Sequence, residues 1–280
     1  MELGRARSLA VTLLEGAGIE SADLEADLLL VWATGFQRGY IHAHPEKILS
    51  EEQLKTFFEA TERRCGREPL QHITKEAGFF GLSLLIEPGA LVPRPETEIA
   101  VEAALESFRG GLFVDWGTGS GCIAAAILEN APRSFCVAVE RSPSAIRVAW
   151  RNFKKLGQIS RVLLWHGSDP WQVPLKAHSA SLLVSNPPYI PDPVIPLLMP
   201  EVRIHDPLSA LSGGSDGLDA YRILLPWAWH VLETGGTLVL ETGGKEQCER
   251  VKALGAFGFR CEKTLCDFSG IARVLVLKKE

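Results

Sequence analysis

The chain lacks any apolar run approaching the ~20 residues that a membrane-spanning helix needs, which argues against a membrane partner. Its N-terminal apolar stretch, residues 9–14, stops at Glu15 without a small-residue cleavage pattern, so we expect no signal peptide. There is also no Lys/Arg run long enough to form a phosphate-binding stripe, and the formal net charge is −5. We therefore expect a protein or small molecule, rather than nucleic acid, as the main partner.

Patterns typical of disulfides and metal sites are missing as well. The six cysteines are scattered without a C-x-x-C pair: Cys65, Cys122, Cys136, Cys248, Cys261 and Cys266. Free thiols in a reducing cytosol explain this distribution better than disulfides or zinc, so we expect a cytoplasmic protein. His42 and His44 lie close together, but no second pair has metal-ligand spacing, and we expect no metal.

The N-terminal part of the chain has the pattern of a small all-α bundle, predicted over residues 1–77. Two predicted helices have apolar faces: Leu24, Leu28, Val31 and Trp32 on one, and Leu54, Phe57, Phe58 and Thr61 on the other. Ser50 and Gln53 form a capping box before the second of these helices. The bundle has no nucleophile–base pair, so we expect it to serve in recognition or support.

The remaining two thirds of the chain alternate between helix and strand patterns. Residues 78–95 are predicted to be an extended connector with a turn near Gly81. From residue 96 to 280, predicted helices alternate with strands at 112–116, 135–139, 162–165, 180–185 and 237–241. Such alternation predicts a doubly wound, mostly parallel sheet of the α/β class. The last two strands, 260–266 and 271–278, have no helix between them and predict an antiparallel hairpin at the sheet edge.

A glycine-rich turn follows the first strand of this alternation: Gly117, Thr118, Gly119, Ser120 and Gly121. Glycines let a backbone approach a ligand closely, and the following helix offers free N–H groups to a carboxylate. The next strand ends in Glu140, where an acidic residue typically binds ribose hydroxyls. NAD is an alternative ligand, but its fingerprint is G-x-G-x-x-G, and the spacing here is G-x-G-x-G.

The tetrapeptide Asn186-Pro187-Pro188-Tyr189 directly follows the apolar run 182–184. Proline fixes its own φ, lacks an N–H and keeps the preceding residue extended, so the turn is stiff. An Asn amide and a proline carbonyl held at a strand end can bind a planar –NH2 group, and Tyr189 offers a flat surface to pack on it. We expect Asn186 Oδ1 and the Pro187 carbonyl to accept two amide hydrogens and to direct the nitrogen lone pair at a reactive carbon.

Together these motifs resemble the PrmC/HemK family of protein-(glutamine-N5) methyltransferases, over nearly the whole chain. The matching segments are residues 68–73, 79–82, 91–98, 117–121, 186–190 and 206–211, with Glu140. The Pro93-Arg94-Pro95 connector is the most specific of them. One departure is Asp206-Pro207, where the family usually has Glu-Pro, and we give that position no role.

The resemblance implies a class I, Rossmann-like methyltransferase domain that uses S-adenosyl-L-methionine and releases S-adenosyl-L-homocysteine. Residues 117–121 and Glu140 would then bind the cofactor, with Asn186 beside it and Trp171 on the adenine side. The alternative for Trp171 is a core aromatic residue after a strand. Asn186, Pro187, Pro188 and Tyr189 would hold the glutamine of the Gly-Gly-Gln motif in class 1 peptide chain release factors. Arg94, Thr97 and Glu98 either line the same cleft or support the domain junction.

Two other functions fit part of the pattern. N-P-P-Y also occurs in enzymes that methylate exocyclic amino groups of nucleic-acid bases, but those enzymes need a basic surface for the backbone. A non-enzymatic binding module is the second alternative, and a degenerate site would be expected to have lost some of the motifs that this chain retains.

Overall fold

In the computed structural model, which describes residues 1–280, the chain divides into two units. The first comprises Met1–Glu76 and Met199–His205, and the second Ala77–Leu198 and Asp206–Glu280. The short segment 199–205 therefore belongs with the N-terminal residues although it lies far along the chain. No helix of the structure is both long enough and apolar enough to cross a bilayer.

The first unit is mainly helical. Its helices are α1 (Leu3–Gly16), α2 (Ala22–Thr34), α3 (Arg38–Ala43), α4 (Glu51–Cys65), α5 (Leu70–Thr74) and α9 (Pro200–His205). The predicted capping box opens α4, since the Ser50 side chain accepts from the Gln53 backbone and the Gln53 side chain accepts from the Ser50 backbone. Glu201 of α9 accepts hydrogen bonds from Arg64 at 2.9 Å and Arg67 at 2.8 Å, which holds the late segment in this unit.

The apolar face expected for α2 is not its core face. Leu24, Leu28 and Trp32 are 37–41% exposed, whereas the buried apolar residues are Ala22, Ala26, Leu29 and Leu30. The helix is apolar around most of its circumference, so hydrophobic spacing cannot distinguish the buried side from the exposed side. The small alanine side chains let the neighbouring helices approach closely.

A two-stranded hairpin follows the bundle, formed by β1 (Glu76–Phe79) and β2 (Leu82–Leu85). The turn between them uses Phe80 and Gly81, both with positive φ. The hairpin and the turn near Gly81 agree with the extended segment predicted from the sequence. Asn152 binds β2, since its side chain accepts from the Leu85 N–H and donates to the Leu85 carbonyl.

The second unit is built on a seven-stranded sheet with the order β5-β4-β3-β6-β7-β9-β8. Its strands are β3 (Gly111–Trp116), β4 (Ser134–Glu140), β5 (Val162–His166), β6 (Ala180–Ser185), β7 (Leu232–Glu241), β8 (Phe259–Cys266) and β9 (Ala272–Lys279). The first five run parallel, and β9 pairs antiparallel with both β7 and β8. This topology confirms the predicted doubly wound sheet with an antiparallel pair at one edge.

Helices cover both faces of the sheet and separate its core into two layers. They are α6 (Glu98–Ser107), α7 (Cys122–Asn130), α8 (Pro143–Lys155), α10 (Leu208–Leu211), α11 (Asp219–Val231) and α12 (Lys245–Gly255). Residues of α6, α7 and α8 pack on one face, and residues of α11 and α12 on the other. Because β3 and β6 are covered on both sides, their central residues form continuous apolar runs instead of alternating.

All six cysteines are free. Cys122, Cys136 and Cys248 are buried, and Cys261 and Cys266 are exposed on β8. Burial raises the pKa of the Cys122 thiol to about 12, so this side chain packs as a small apolar group.

Candidate active site

Three residues lie at the carboxyl ends of neighbouring parallel strands. Gly117 follows β3, Asn186 follows β6, and Glu241 is the last residue of β7. The register pairs Asp115 with Val184, and Ser185 with Leu240. Gly117, Asn186 and Glu241 are therefore brought to one edge of the sheet, where ligands of open α/β folds bind.

The glycine loop depends on backbone conformations that suit glycine. Gly117, Gly119 and Gly121 have φ values of 78°, 56° and 83°. A Cβ atom at Gly121 would lie 2.9 Å from Cζ of Phe153, so the start of α7 also requires glycine for packing against α8. The loop is tied to β4 because the N–H groups of Gly117 and Thr118 both donate to the Val139 carbonyl.

Two members of the loop have buried side chains that support it from beneath. Thr118 is 4% exposed and its hydroxyl donates to Oδ2 of Asp115 at 2.6 Å. Ser120 is 2% exposed. Burial raises the pKa of Asp115 to about 7, against the lowering effect of the Thr118 hydroxyl. Of the five predicted loop residues, Gly117 and Gly119 line the neighbouring cavity, and the other three do not.

Glu140, at the end of β4, has a carboxylate held in place by backbone donors. Its Oε2 accepts from the Gly119 N–H at 2.9 Å and its Oε1 accepts from the Ser142 N–H at 2.8 Å. A carboxylate has about four lone-pair sites, so two acceptor positions remain for a ligand. The Glu140 side chain lines the cavity.

The Asn-Pro-Pro-Tyr turn presents its residues in different directions. Asn186 and Pro188 line the cavity, Pro187 is buried, and Tyr189 is partly buried outside the cavity lining. The Asn186 Nδ2 donates to Oγ1 of Thr97 at 3.1 Å. This bond fixes which way the Asn186 amide points, and Oδ1 is left available as an acceptor.

The Tyr189 hydroxyl donates to Oε1 of Glu241 at 3.3 Å, and burial raises the pKa of the Tyr189 phenol. Glu241 is 2% exposed, and burial raises the pKa of its carboxyl to about 7. Sequence reasoning missed Glu241. The available signal was that Glu241 ends the predicted strand 237–241, and that the predicted strand before it, 180–185, leads into Asn-Pro-Pro-Tyr.

A glycine-rich segment, residues 211–217, packs against the backbone of the Asn-Pro-Pro-Tyr turn. A Cβ atom at Gly213 would lie 2.9 Å from the Pro188 carbonyl oxygen, and one at Gly217 would lie 2.5 Å from the Tyr189 carbonyl oxygen. The Gln247 amide donates to the carbonyls of Tyr189 and Gly217 at 2.9 Å and 2.8 Å. These contacts were also missed, although the sequence of residues 211–217, L-S-G-G-S-D-G, marks a tight loop.

The sequence left two possible roles open for Arg94, Thr97 and Glu98, and the structure gives each of them different contacts. Arg94 forms an ion pair with the buried carboxylate of Asp206, and Glu98 accepts a hydrogen bond from the Phe80 N–H at 2.7 Å. Only Thr97 of the three contacts the Asn-Pro-Pro-Tyr turn through a hydrogen bond, which it makes with Asn186. Asp206, where the motif departs from its usual glutamate, is the partner of Arg94.

One cavity of about 1160 Å³ joins these features. Its lining includes the glycine loop, Glu140, Trp171, Asn186 and Pro188. Trp171 is 57% exposed and tilts against His230 with 5.3 Å between ring centroids, so it is a cavity wall and not a core aromatic residue. The cavity is large enough for a drug-sized ligand together with a side chain that enters beside Asn186.

Comparison with known proteins identifies relatives for both units. The PrmC N-terminal domain matches residues 5–74, and the Methyltransferase small domain matches residues 97–195. The chain is 40% identical over 276 residues to the release factor glutamine methyltransferase of Moorella thermoacetica, covering 96% of each protein. It is 42% identical over 262 residues to the enzyme of the same name from Geobacter sulfurreducens, covering 92% of this chain and 90% of that protein.

A solved structure supports the fold. The ribosomal protein L11 methylase from Lactobacillus delbrueckii subsp. bulgaricus aligns with a TM-score of 0.51 at 18% identity, covering 70% of this chain and 84% of that one. Together with the sheet topology, this likeness confirms the predicted class I methyltransferase fold.

Proposed function

Because the chain belongs to the release factor glutamine methyltransferase family, we propose that it methylates the side-chain amide nitrogen of the Gly-Gly-Gln glutamine in class 1 peptide chain release factors. The methyl donor is S-adenosyl-L-methionine and the product is S-adenosyl-L-homocysteine. The family membership confirms the resemblance found in the motifs. We place the reaction in the cytoplasm, where release factors act and where free thiols stay reduced.

The observation that carries this proposal is the placement of the Asn186 amide in the same cavity as Glu140 and Trp171. Its Nδ2 is bonded to Thr97, so Oδ1 is the atom that can accept a hydrogen from a substrate. A group able to hold a planar –NH2 group and groups able to hold a nucleoside thus line the same cavity. Methyl transfer needs both.

The residues present fit S-adenosyl-L-methionine. Gly117 and Gly119 leave room for its methionine end, because they line the cavity without side chains. Glu140 has two acceptor positions for the ribose hydroxyls, and the exposed ring of Trp171 can pack against adenine. When bound, this cofactor supplies a methyl group on a positively charged sulfur. Thr118, Ser120 and Gly121, which do not line the cavity, would hold the loop in the shape that binds the cofactor.

The chain's own contribution to catalysis is mainly the positioning of a weak nucleophile. An amide nitrogen reacts poorly since its lone pair is delocalised into the carbonyl. Asn186 Oδ1 and the Pro187 carbonyl accept its two hydrogens, which turns the lone pair towards the methyl carbon and stabilises the positive charge that grows on nitrogen. Pro188 and Tyr189 keep the turn rigid around the amide.

No general base is needed before methyl transfer. The N-methylated amide is a strong acid while it carries its positive charge, and it loses a proton to water once the new C–N bond has formed. The proposed reaction also has no step that calls for a metal. The rate should therefore depend on oriented dipoles more than on a titratable group in direct contact with substrate.

Methylation of an exocyclic amino group on a nucleic-acid base is the alternative. The same Asn-Pro-Pro-Tyr geometry would serve it, but the net charge of −5 does not favour a polyanionic substrate. We assign the helical unit, predicted from the sequence as residues 1–77 and found as Met1–Glu76 with Met199–His205, to release-factor recognition.

The decisive test is mass spectrometry of a release factor after incubation with the protein and S-adenosyl-L-methionine. We expect a gain of one methyl group on the Gly-Gly-Gln glutamine, and none on a release factor in which that glutamine is replaced by glutamate. Labelled methyl transfer to DNA or RNA, with no transfer to release factor, would instead establish the alternative. Failure to bind the cofactor by calorimetry would indicate a non-enzymatic binding module.

A further inference from the structure

We propose that Glu241 is a positioning residue for the methyl transfer, acting through Tyr189 and through Thr97 on Asn186. This inference rests on the proposed function and adds a residue that the sequence motifs do not contain. Glu241 lies outside the cavity lining, so it acts on substrate only through its neighbours.

The position of Glu241 is set by the sheet and by a buried tyrosine. Ser185 of β6 pairs with Leu240 of β7, and Asn186 and Glu241 are the residues that follow this pair. Both residues therefore lie at the same edge of the sheet. The Tyr221 hydroxyl donates to the backbone carbonyl of Glu241 at 2.7 Å, which anchors the residue independently of its side chain.

The carboxyl group of Glu241 accepts one hydroxyl and has a second, buried oxygen without a partner. Tyr189 donates to Oε1 at 3.3 Å, and the buried Oε2 has no hydrogen-bond partner. The Thr97 hydroxyl lowers the pKa of this carboxyl, which places it near enough to interact with it. Thr97 accepts the hydrogen bond from Asn186 Nδ2, so its own proton is directed away from Asn186. Asn186 thus donates to Thr97 and Tyr189 donates to Glu241, and we infer that the unpartnered Oε2 of Glu241 draws the Thr97 proton towards itself.

This directionality requires an acceptor at Glu241. An ionised carboxylate has lone pairs for both hydroxyls. A protonated carboxyl carries a hydrogen on one oxygen, and that hydrogen itself needs an acceptor. A lost acceptor would leave the Thr97 hydroxyl free to rotate and the Asn186 amide free to flip. The amide oxygen would then face the substrate only part of the time.

The charged surroundings of Glu241 come from two other elements. Arg273 of β9 lowers the pKa of its carboxyl, and Glu96, beside the start of α6, raises it. Burial outweighs Arg273 and the two hydroxyls, so the pKa is about 7. Tyr189, Tyr221 and the Cys122 thiol of α7 are the other titratable groups that interact with this carboxyl. Glu241 therefore changes charge within the pH range in which the enzyme can be assayed.

The test compares Glu241→Gln with wild type in methyl transfer to a release factor from pH 6 to pH 9. Wild-type kcat should rise with pH through about 7 as the acceptor ionises, and the variant should lose this rise. We expect its kcat to fall about tenfold at pH 8 while KM for release factor stays within about twofold, as expected for a loss of orientation. Thermal unfolding of both proteins checks that the fold is intact.

Tyr189→Phe provides a matched partner for a double-mutant cycle. If Glu241 acts partly through the Tyr189 hydroxyl, the two substitutions together should reduce kcat by less than the product of their separate effects. Fully multiplicative effects, or a Glu241→Gln variant with the wild-type rate and pH profile, would overturn the inference.

A readout without turnover separates this inference from the proposed function. In protein labelled with 3-fluorotyrosine, the ¹⁹F resonance of Tyr189, assigned with Tyr189→Phe, should titrate near pH 7 and should stop titrating in Glu241→Gln. A titrating signal in a protein that does not methylate release factor would overturn the proposed function and leave Glu241 without a reaction to serve. If the protein methylates release factor but the Tyr189 resonance titrates identically in wild type and Glu241→Gln, this inference alone is overturned.

Discussion

The amide nitrogen of Asn186 lies 3.1 Å from the hydroxyl oxygen of Thr97, a residue 89 positions earlier in the chain, and donates a hydrogen bond to it. Asn186 ends the buried strand β6, and Thr97 precedes α6. The bond orients the Asn186 amide with respect to the cavity before any substrate arrives. Preorganised dipoles of this kind need no reorganisation during the reaction, which is why they lower activation barriers.

Replacing Asn186 should therefore affect turnover and not cofactor binding. We expect Asn186→Ala to lower kcat on the order of a hundredfold, the scale of one lost oriented dipole, with a nearly unchanged dissociation constant for S-adenosyl-L-methionine. Asn130→Ala, in which the exposed end of α7 is changed, should keep wild-type kinetics and serves as the control. Turnover within a few-fold of wild type in Asn186→Ala would exclude the proposed role.

Thr97 can be tested with a nearly isosteric change. Thr97→Val keeps the shape of the buried side chain but removes the acceptor for Asn186, so kcat should fall about tenfold, the worth of one well-aligned hydrogen bond. Thr97→Ser retains the hydroxyl and should recover most of the rate. If the valine and serine variants are equally active, the bond to Asn186 has no part in catalysis.

Glu140 should govern cofactor affinity. Glu140→Gln keeps the side-chain shape but offers the ribose hydroxyls a donor in place of an acceptor. It also replaces one of the two oxygens that accept hydrogen bonds from the Gly119 and Ser142 N–H groups. We expect S-adenosyl-L-methionine to bind about tenfold more weakly or worse in isothermal titration calorimetry. The surface variant Glu246→Gln is the matched control. An unchanged dissociation constant in Glu140→Gln would remove this residue from the ribose site.

Trp171 offers an optical signal for cofactor binding. Its ring is 57% exposed in the cavity, so adenine packed against it should alter its fluorescence on titration with S-adenosyl-L-methionine or S-adenosyl-L-homocysteine. Trp171→Phe should lose most of the change and bind several-fold more weakly, because the smaller ring buries less area. Trp150→Phe, also at an exposed tryptophan, should keep the signal; loss of the signal there instead would place adenine elsewhere.

The buried carboxyl of Glu241 should make the protein less stable as pH rises. Its pKa is raised from 4.5 to about 7 in the fold, so the folded state favours the protonated form. The contribution to the free energy of unfolding is full below pH 4.5 and is lost as pH rises through 7, amounting to on the order of 2 kcal/mol between pH 5.5 and pH 8.5. Ionisation that supports activity thus costs stability.

Denaturant titrations at pH 5.5 and pH 8.5 measure this effect. Glu241→Gln should lose less stability than wild type over the same interval, and Asp115, whose pKa is also raised to about 7, contributes equally to both proteins. A wild type and variant with parallel pH dependence would show that Glu241 is ionised in the fold at much lower pH.

Local sequence signals located most of the elements that build the site. The strand predicted at 180–185 is β6, and the capping box at Ser50 opens α4 as expected. Both depend on interactions within a few residues, either an apolar run bounded by turn residues or a side chain bonded to its own helix. The glycine loop and the Asn-Pro-Pro-Tyr turn follow buried parallel strands, so their meeting at one edge could also be expected.

What the sequence did not reveal depends on contacts between distant residues. The exposure of Leu24 and Leu28, the place of segment 199–205 beside Arg64, and the support of Asn186 by Thr97 all involve partners far apart in the chain. The amino-acid order dictated the chemical groups, the strand ends that carry them and the family to which the chain belongs. Packing in three dimensions selected which atom of the Asn186 amide faces the cavity and which buried carboxyl holds Tyr189, since hydrogen-bond direction and burial arise only when separate strands and helices come together.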